Sequence, residues 1–120
     1  MEQPGFQMSY TTLEMVCWNV RGLNNPAKKD ALRELADSMK VAIWCILETK
    51  LVHVDTYIIM RCLGPAYDGF AYLPSSDTRG GIFIAWDSSK VSISNTVLDT
   101  NFITGYVSPR EGQPWWLSVV

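Results

Sequence analysis

The stretch Val41-Ala42-Ile43-Trp44-Cys45-Ile46-Leu47-Glu48-Thr49-Lys50 governs the interpretation of this sequence. Every residue from Val41 to Leu47 is apolar, and the chain then becomes charged at once. An unbroken apolar run of this length, rich in β-branched and aromatic side chains, is typical of a strand buried on both faces of a sheet. Open α/β sheets place their ligands at the carboxyl ends of such strands. Glu48 is therefore the leading candidate for a functional carboxylate.

The residues before this run predict a strand and a helix. Residues 13–20 form a short apolar run that contains Asn19, and a turn-rich loop follows. Asn25 is a good helix N-cap, Pro26 suits the first helical position, and apolar residues then recur at helical spacing. Strand, helix and strand form a βαβ unit with parallel strands. Because parallel strands end at the same edge, we expect Asn19 and Glu48 to lie side by side.

The second half of the chain predicts a short helix and an antiparallel meander. Residues 55–63 form the helix, which a Gly-Pro pair ends. Apolar runs separated by turn-forming residues follow at hairpin spacing, at 70–73, 82–86, 91–98, 102–107 and 115–120. The last of them resembles the beginning of a central strand. We therefore interpret residues 1–12 as a disordered leader and residues 13–120 as a truncated α/β domain of the α+β type.

The composition excludes several classes of protein. Of the 120 residues, 48% are hydrophobic and 18% are charged, which indicates a globular rather than a disordered chain. The net charge of −2 provides no overall basic field, so nucleic-acid binding would have to be local, metal-mediated or supplied by another part of a protein. No apolar run reaches membrane-spanning length, and no signal peptide is evident. We expect an intracellular protein, nuclear or cytoplasmic, that does not bind membranes.

The cysteines do not form a metal-binding pattern. Cys17, Cys45 and Cys62 include no CxxC pair, and the single histidine, His53, is not close to any of them in sequence. We interpret the cysteines as buried, reduced thiols and His53 as an ordinary, partly exposed side chain. The five tryptophans are expected in the core rather than on a base-stacking platform.

Two motifs in order resemble a known family. The segment 15–23, which contains Trp18-Asn19-Val20-Arg21-Gly22-Leu23, and the later Leu47-Glu48-Thr49-Lys50 resemble the start of the endonuclease/exonuclease/phosphatase superfamily. The first motif is especially similar to the endonuclease domains of plant non-LTR (LINE-type) retrotransposons. Arg79-Gly80-Gly81-Ile82 and Trp86-Asp87 fit the hairpin of those plant sequences. The resemblance implies the N-terminal half of a four-layer α/β sandwich.

The resemblance also implies a chemistry, because members of the family cleave phosphate esters with Mg²⁺. Glu48 would be the metal ligand, for Mg²⁺ or Mn²⁺, and Asn19 would be the catalytic amide that positions a neighbouring Asp or the phosphate. Apart from the resemblance, the positive charges of Arg21 and Lys50 make them candidates for contact with the substrate phosphate, with ordinary surface charge as the alternative. No other cofactor-binding residue is assigned, and DNA would be the partner of the full-length protein.

The later motifs of the family are a tyrosine shortly after the strand that begins here at Trp115, then an Asp-x-Asn pair and a terminal Asp-His. No such motifs follow that strand in this sequence, and His53 does not replace the histidine. We interpret the chain as a fragment of a Mg²⁺-dependent DNA endonuclease of a retroelement, inactive alone. The alternatives are another phosphoesterase of the superfamily and a non-catalytic remnant or binding module. We also expect self-association, because a sheet built to face a second sheet would expose its inner apolar face.

Each assigned residue also has a purely structural interpretation. Glu48 is in that case a solvated carboxylate after a buried strand, and Asn19 bonds within its own turn. Arg21 and Lys50 are then ordinary surface charges. Gly80-Gly81 is interpreted as a tight-turn device and not as a phosphate loop, since it does not join a strand to a helix.

Overall fold

A computed structural model describes residues 14–120, so the predicted leader 1–12 lies outside the described residues. Two helices and seven strands occur in this part of the chain, arranged in two sheets. In chain order they are β1 (Met15–Asn19), α1 (Pro26–Met39), β2 (Ile43–Leu47), α2 (Thr56–Leu63), β3 (Gly69–Leu73), β4 (Ile82–Trp86), β5 (Val91–Leu98), β6 (Ile103–Pro109) and β7 (Trp115–Val119). The predicted mixed α/β architecture of the α+β type is confirmed.

The predicted βαβ unit is present. β1 and β2 pair in parallel, with Asn19 opposite Leu47 at their carboxyl ends. The connecting helix α1 begins as predicted, since the side chain of Asn25 accepts a hydrogen bond from the backbone N–H of Ala27 at 2.9 Å. Pro26 occupies the first turn, where its missing N–H costs nothing.

The short helix α2 is defined by its caps. The carboxylate of Asp55 accepts a hydrogen bond from the backbone N–H of Ile58 at 2.9 Å, and Gly64 ends the helix with a φ of 102°. The predicted helix therefore begins one residue later than expected, because Asp55 caps it. Within residues 14–120, neither helix is long and apolar enough to cross a membrane.

The predicted meander is divided between two sheets. The first sheet has the strand order β1-β2-β4-β3, so β4 lies between β2 and β3 and is antiparallel to both. The second sheet is the antiparallel meander β5-β6-β7. The chain passes from one sheet to the other in the turn after Trp86, which periodicity within each strand does not specify.

The first sheet separates two apolar cores. On one face, Trp44, Ile46 and Phe83 pack with residues of α1 and α2. On the other face, Ile43 and Ile84 pack against apolar residues of the second sheet. β2 therefore contributes alternate side chains to both cores and is buried on both faces, as its unbroken apolar sequence predicted.

The inner face of the first sheet is covered, except along β1. Cys45 and Ile84 are fully buried, because the second sheet lies over β3 and β4. On the edge strand β1, Met15 is 38% exposed and Cys17 is also exposed. The prediction of a buried thiol is thus confirmed for Cys45 and Cys62 and wrong for Cys17. An uncovered inner face, which we expected for the sheet as a whole, is limited to β1.

The expectation that the tryptophans lie in the core is wrong for Trp116, which is 59% exposed. Trp44 is fully buried, and Trp18, Trp86 and Trp115 pack against the cores. In β7 neighbouring residues alternate between the two faces of the sheet, so Trp116 points away from the core. Its ring contacts Tyr106 on β6, with the ring centroids 5.0 Å apart.

Candidate active site

The carboxyl ends of β1 and β2 bring Asn19 and Glu48 into direct contact. The amide Nδ2 of Asn19 donates a hydrogen bond to Oε2 of Glu48 at 2.7 Å, across 29 positions of sequence. Both residues are exposed. Among residues 14–120 this is the one hydrogen bond that the Glu48 carboxylate accepts, so its other oxygen is available to a ligand. The predicted juxtaposition follows from the parallel register of the two strands.

The backbone turns sharply at Glu48, and this turn aims the carboxylate at Asn19. Glu48 and Lys50 both have left-handed backbone conformations, with φ of 55° and 62°. Such a conformation costs a residue with a side chain about 1–2 kcal/mol, so the surrounding structure must hold it in place. Thr49 between them is 1% exposed, and its Oγ1 accepts a hydrogen bond from the backbone N–H of Leu51 at 3.1 Å.

The loop after β1 holds one side of this turn. The backbone N–H of Gly22 donates to the carbonyl of Glu48 at 2.7 Å, and that of Leu23 donates to the carbonyl of Thr49 at 2.8 Å. The amide of Asn24 donates to the carbonyl of Lys50 at 2.9 Å. Three successive residues of one loop therefore bind three successive carbonyls of the other, and the Asn19 and Glu48 motifs form one rigid corner.

The Gly80-Gly81 hairpin holds the other side. The N–H of Thr49 donates to the Gly81 carbonyl at 3.1 Å, and that of Lys50 donates to the Gly80 carbonyl at 2.6 Å. A Cβ at position 80 would lie 3.1 Å from Cα of Glu48, and one at position 81 would lie 2.6 Å from Oγ1 of Thr49. The two glycines are thus needed for close approach to the Glu48 turn as well as for the turn of their own hairpin.

A cleft of about 250 Å³ opens beside the carboxylate. Arg79, Asn101 and Val120 line it together with Asn19 and Glu48. The guanidinium of Arg79 donates to the carbonyl of Pro74 at 2.8 Å through Nε and to that of Thr100 at 2.6 Å through Nη1. Arg79 therefore connects the β3–β4 loop to the β5–β6 loop.

Sequence reasoning did not assign a role to these three further lining residues. Arg79 belongs to a quoted motif, but nothing in the motif indicates that its side chain ties two loops together. Asn101 lies in a turn and Val120 follows an apolar strand, so neither carries a chemical signature. Arg79 reaches the cleft because its hairpin bonds to the Glu48 turn, whereas Asn101 and Val120 reach it because the second sheet packs against the first.

Arg21 and Lys50 are exposed and lie in the two loops that bind each other. The backbone of the first loop at Gly22 lies close to the Lys50 side chain, since a Cβ on Gly22 would lie 3.6 Å from Cγ of Lys50. Neither cation lines the cleft. The structure thus places two positive charges at the rim of the Glu48 corner and not inside it.

His53 is separate from this cleft. Its side chain is 70% exposed, with Nε2 3.4 Å from Oδ2 of Asp55 and Nδ1 3.5 Å from the hydroxyl of Tyr72. The histidine does not line the cleft that contains Glu48. Its placement agrees with its interpretation as an exposed side chain.

The donor atoms in the cleft suit a hard cation in an open site. Glu48 offers one carboxylate, and Asn19 offers an amide oxygen, which is also a hard donor. No group of three or more His, Cys, Asp or Glu side chains capable of holding a metal occurs within residues 14–120. Mg²⁺ commonly binds through one or two carboxylates together with water and substrate phosphate, and the residues present fit that pattern.

Comparison with known proteins identifies the fold class. No family model matches the chain, and no curated protein matches its sequence. Among solved structures, the AP endonuclease LMAP from Leishmania major is 25% identical, with a TM-score of 0.55 over 87% of this chain and 38% of that one. A conserved protein of unknown function from Enterococcus faecalis V583 is 16% identical, with a TM-score of 0.54 over 87% of this chain and 50% of that one.

The chain therefore has the fold class of the endonuclease/exonuclease/phosphatase superfamily, to which the AP endonuclease fold corresponds. The second neighbour supports the fold alone. The chain spans half or less of the length of each of these two proteins.

We predict that Gly81→Ala destabilises the chain more than Gly112→Ala. Both glycines have positive φ, 89° and 114°, so both substitutions carry a backbone cost of about 1–2 kcal/mol. A Cβ at position 112 meets nothing within 4 Å, whereas one at position 81 overlaps Thr49. We expect a further loss of about 1–3 kcal/mol at position 81 from this overlap. Urea unfolding followed by tryptophan fluorescence measures the difference.

The pair of variants separates the backbone effect from the packing effect. An equal loss of unfolding free energy in both variants would show that the Gly80-Gly81 hairpin is not closely packed against the Glu48 turn.

Proposed function

We propose that this chain is part of a Mg²⁺-dependent phosphodiesterase, a DNA endonuclease of the endonuclease/exonuclease/phosphatase type. The hydrogen bond between Asn19 and Glu48 at the ends of paired parallel strands carries the proposal. The similarity to an AP endonuclease supports it, since that protein shares the fold and 25% of the aligned residues. Mn²⁺ is the alternative cation, because it also prefers oxygen ligands.

In this proposal Glu48 holds the cation and Asn19 holds Glu48. The cation, when bound, supplies stabilisation of the negative charge on the phosphoryl oxygens and the leaving group. The Nδ2 group of Asn19 keeps one carboxylate oxygen in place, which leaves the other oxygen of Glu48 and the amide oxygen of Asn19 for ligand binding. Because the amide is neutral, it adds no charge beside the cation.

The basic residues around the corner have a role in phosphate binding in this proposal. Arg21 and Lys50 are exposed at the rim, and Arg79 adds a third positive charge inside the cleft. The chain as a whole has a net charge of −2, so attraction of a phosphodiester depends on this local arrangement. Binding through such contacts weakens as the salt concentration rises.

We propose further that the endonuclease belongs to a plant LINE-type retroelement. The support is the sequence Trp18-Asn19-Val20-Arg21-Gly22-Leu23, which resembles those endonucleases. The coding sequence that follows the codon for Val120 tests this origin. A continuing frame with Tyr, Asp-x-Asn and Asp-His motifs and a reverse transcriptase supports it, and an unrelated frame contradicts it.

We predict that Glu48→Gln weakens Mn²⁺ binding at least ~tenfold, since it removes the carboxylate charge while a side-chain oxygen remains to accept from Asn19. Mn²⁺ serves as the probe because its free ion is measured directly by electron paramagnetic resonance. Glu34→Gln is the matched control, because Glu34 is an exposed carboxylate on α1 that lies outside the cleft. Asn19→Ala should weaken binding less than Glu48→Gln.

Equal Mn²⁺ affinity in the wild-type chain and in Glu48→Gln would contradict the assignment of Glu48 as the ligand. An equal loss in Glu34→Gln would show that the effect is one of overall charge.

We predict that the chain alone does not nick supercoiled plasmid in Mg²⁺. The Asp-His pair that supplies the general base and its orienting Asp in the family is missing from its sequence. Conversion of supercoiled to open-circular DNA on a gel measures nicking against a protein-free control. Strong nicking that Glu48→Ala abolishes would overturn the predicted inactivity and support the role of Glu48. Nicking that survives Glu48→Ala would contradict both.

We also propose that the isolated chain associates with a second copy of itself through β7. This strand lies at the edge of the second sheet within the described residues. Trp116 in the strand is 59% exposed, and Val120, which follows the strand, is 78% exposed. An unpaired apolar edge is a template for strand pairing between chains. The covered inner face of β2 and β4 makes this edge the better candidate surface.

We predict that light scattering detects oligomers of the wild-type chain and that Trp116→Ser reduces them. Tyr57→Ser is the control, since Tyr57 is an aromatic residue exposed by 72% on α2. A monodisperse wild-type monomer, or an equal effect of both substitutions, would contradict association through β7.

A further inference from the structure

Two of the three cysteines are direct neighbours across the parallel pair of strands. Cys17 in β1 lies opposite Cys45 in β2, so the two side chains project from the same face of the sheet. Neighbouring strands are about 4.8 Å apart, which falls within the range of about 4.4–6.8 Å between the Cα atoms of disulfide-bonded cysteines. The register alone therefore places the two residues at bonding separation.

The two thiols also interact. Burial raises the pKa of Cys45, and electrostatic repulsion from an ionised Cys17 and a hydrogen bond with Cys17 raise the pKa further. Their access to solvent is unequal, since Cys17 is exposed and Cys45 is fully buried. Cys17 is therefore the thiol of the pair that an oxidant in solution can contact directly.

The third cysteine is excluded from this pair. Cys62 lies in α2 and packs in the core on the helical side of the first sheet. Cys45 packs in the core between the two sheets. Since β2 and its neighbours separate the two cores, Cys62 serves as an internal control for the reactivity of a buried thiol.

We propose that Cys17 and Cys45 form a peroxide-sensitive thiol pair that cross-links β1 to β2 as a disulfide. The oxidant is a hydroperoxide. The Cys17 thiol loses its proton to solvent and its sulfur attacks the terminal oxygen. The O–O bond breaks, the leaving alkoxide or hydroxide takes a proton from solvent, and Cys17 becomes a sulfenic acid. The Cys45 sulfur then attacks the Cys17 sulfur. The S–S bond forms, the S–O bond breaks, and the hydroxyl leaves as water with the proton of the Cys45 thiol. Two thiols are oxidised by two electrons in total, and one peroxide is reduced by two.

The thiol pair lies next to the corner formed by Asn19 and Glu48. Cys17 precedes Asn19 by two residues and lies on the same face of β1. β1 is the edge strand of its sheet in the described residues, so within the sheet β2 is its one hydrogen-bonded neighbour. The cross-link restrains β1 against β2 next to the contact between Asn19 and Glu48. The thiol chemistry itself does not depend on the proposed nuclease function.

The test is oxidation of the reduced full chain with dilute hydrogen peroxide, followed by alkylation under denaturing conditions and mass spectrometry. We expect a monomer lighter by two hydrogen atoms before alkylation, with a single alkylated cysteine, Cys62, out of the three. Peptide mapping should find Cys17 linked to Cys45, and dithiothreitol should restore three alkylated cysteines.

Matched variants complete the test. Cys62→Ala should form the same disulfide, whereas Cys17→Ser, a change at an exposed position, should leave both buried thiols reduced under the same conditions. Cross-linking between chains through Cys17, or sulfinic and sulfonic acids at Cys17 with Cys45 still open to alkylation, would overturn the proposal. Oxidation of Cys62 at the same rate as Cys45 would overturn it as well.

Discussion

The structure depends on β2, which is hydrogen-bonded to β1 on one side and to β4 on the other and is buried on both faces. Its side chains alternate between the two cores, with Trp44 on the helical side and Ile43 on the side of the second sheet. A charged group at any of these positions would be buried without water or a partner, at a cost of several kcal/mol. A carboxylate can therefore lie only at the end of this strand, where Glu48 is found.

The corner that follows β2 is held by long-range backbone bonds. The loop after β1 binds the carbonyls of Glu48, Thr49 and Lys50, and the Gly80-Gly81 hairpin accepts from the N–H groups of the last two. Left-handed conformations at two residues with side chains cost free energy, and these bonds from two separate segments compensate for it. The backbone at Glu48 is thus held by two separate segments, and the hydrogen bond from Asn19 orients its side chain. That arrangement is what a site needs if it is to bind a ligand without first reorganising.

Particular residues show how far sequence reasoning reached. Asn25, Pro26 and the helical spacing after them placed α1, and the apolar run placed β2, because caps and periodicity are local properties. The contact between Asn19 and Glu48 was also predictable, since a βαβ connection makes its strands parallel and their ends coincide. Trp116 and Cys17 were misjudged because both belong to apolar runs whose outer or edge position depends on the neighbours of the strand.

Local periodicity and cap chemistry thus determined the helices, most strands and the meeting of the two motifs in the βαβ unit. The packing of the second sheet determined the rest. It divided the predicted meander between two sheets, covered β3 and β4 while leaving β1 open, and brought Asn101 and Val120 to the cleft beside Glu48. The physical reason is that hydrogen bonds and side-chain alternation act along and between neighbouring strands. The placement of one sheet on another, in contrast, depends on the complementary shape of two apolar faces assembled from distant segments.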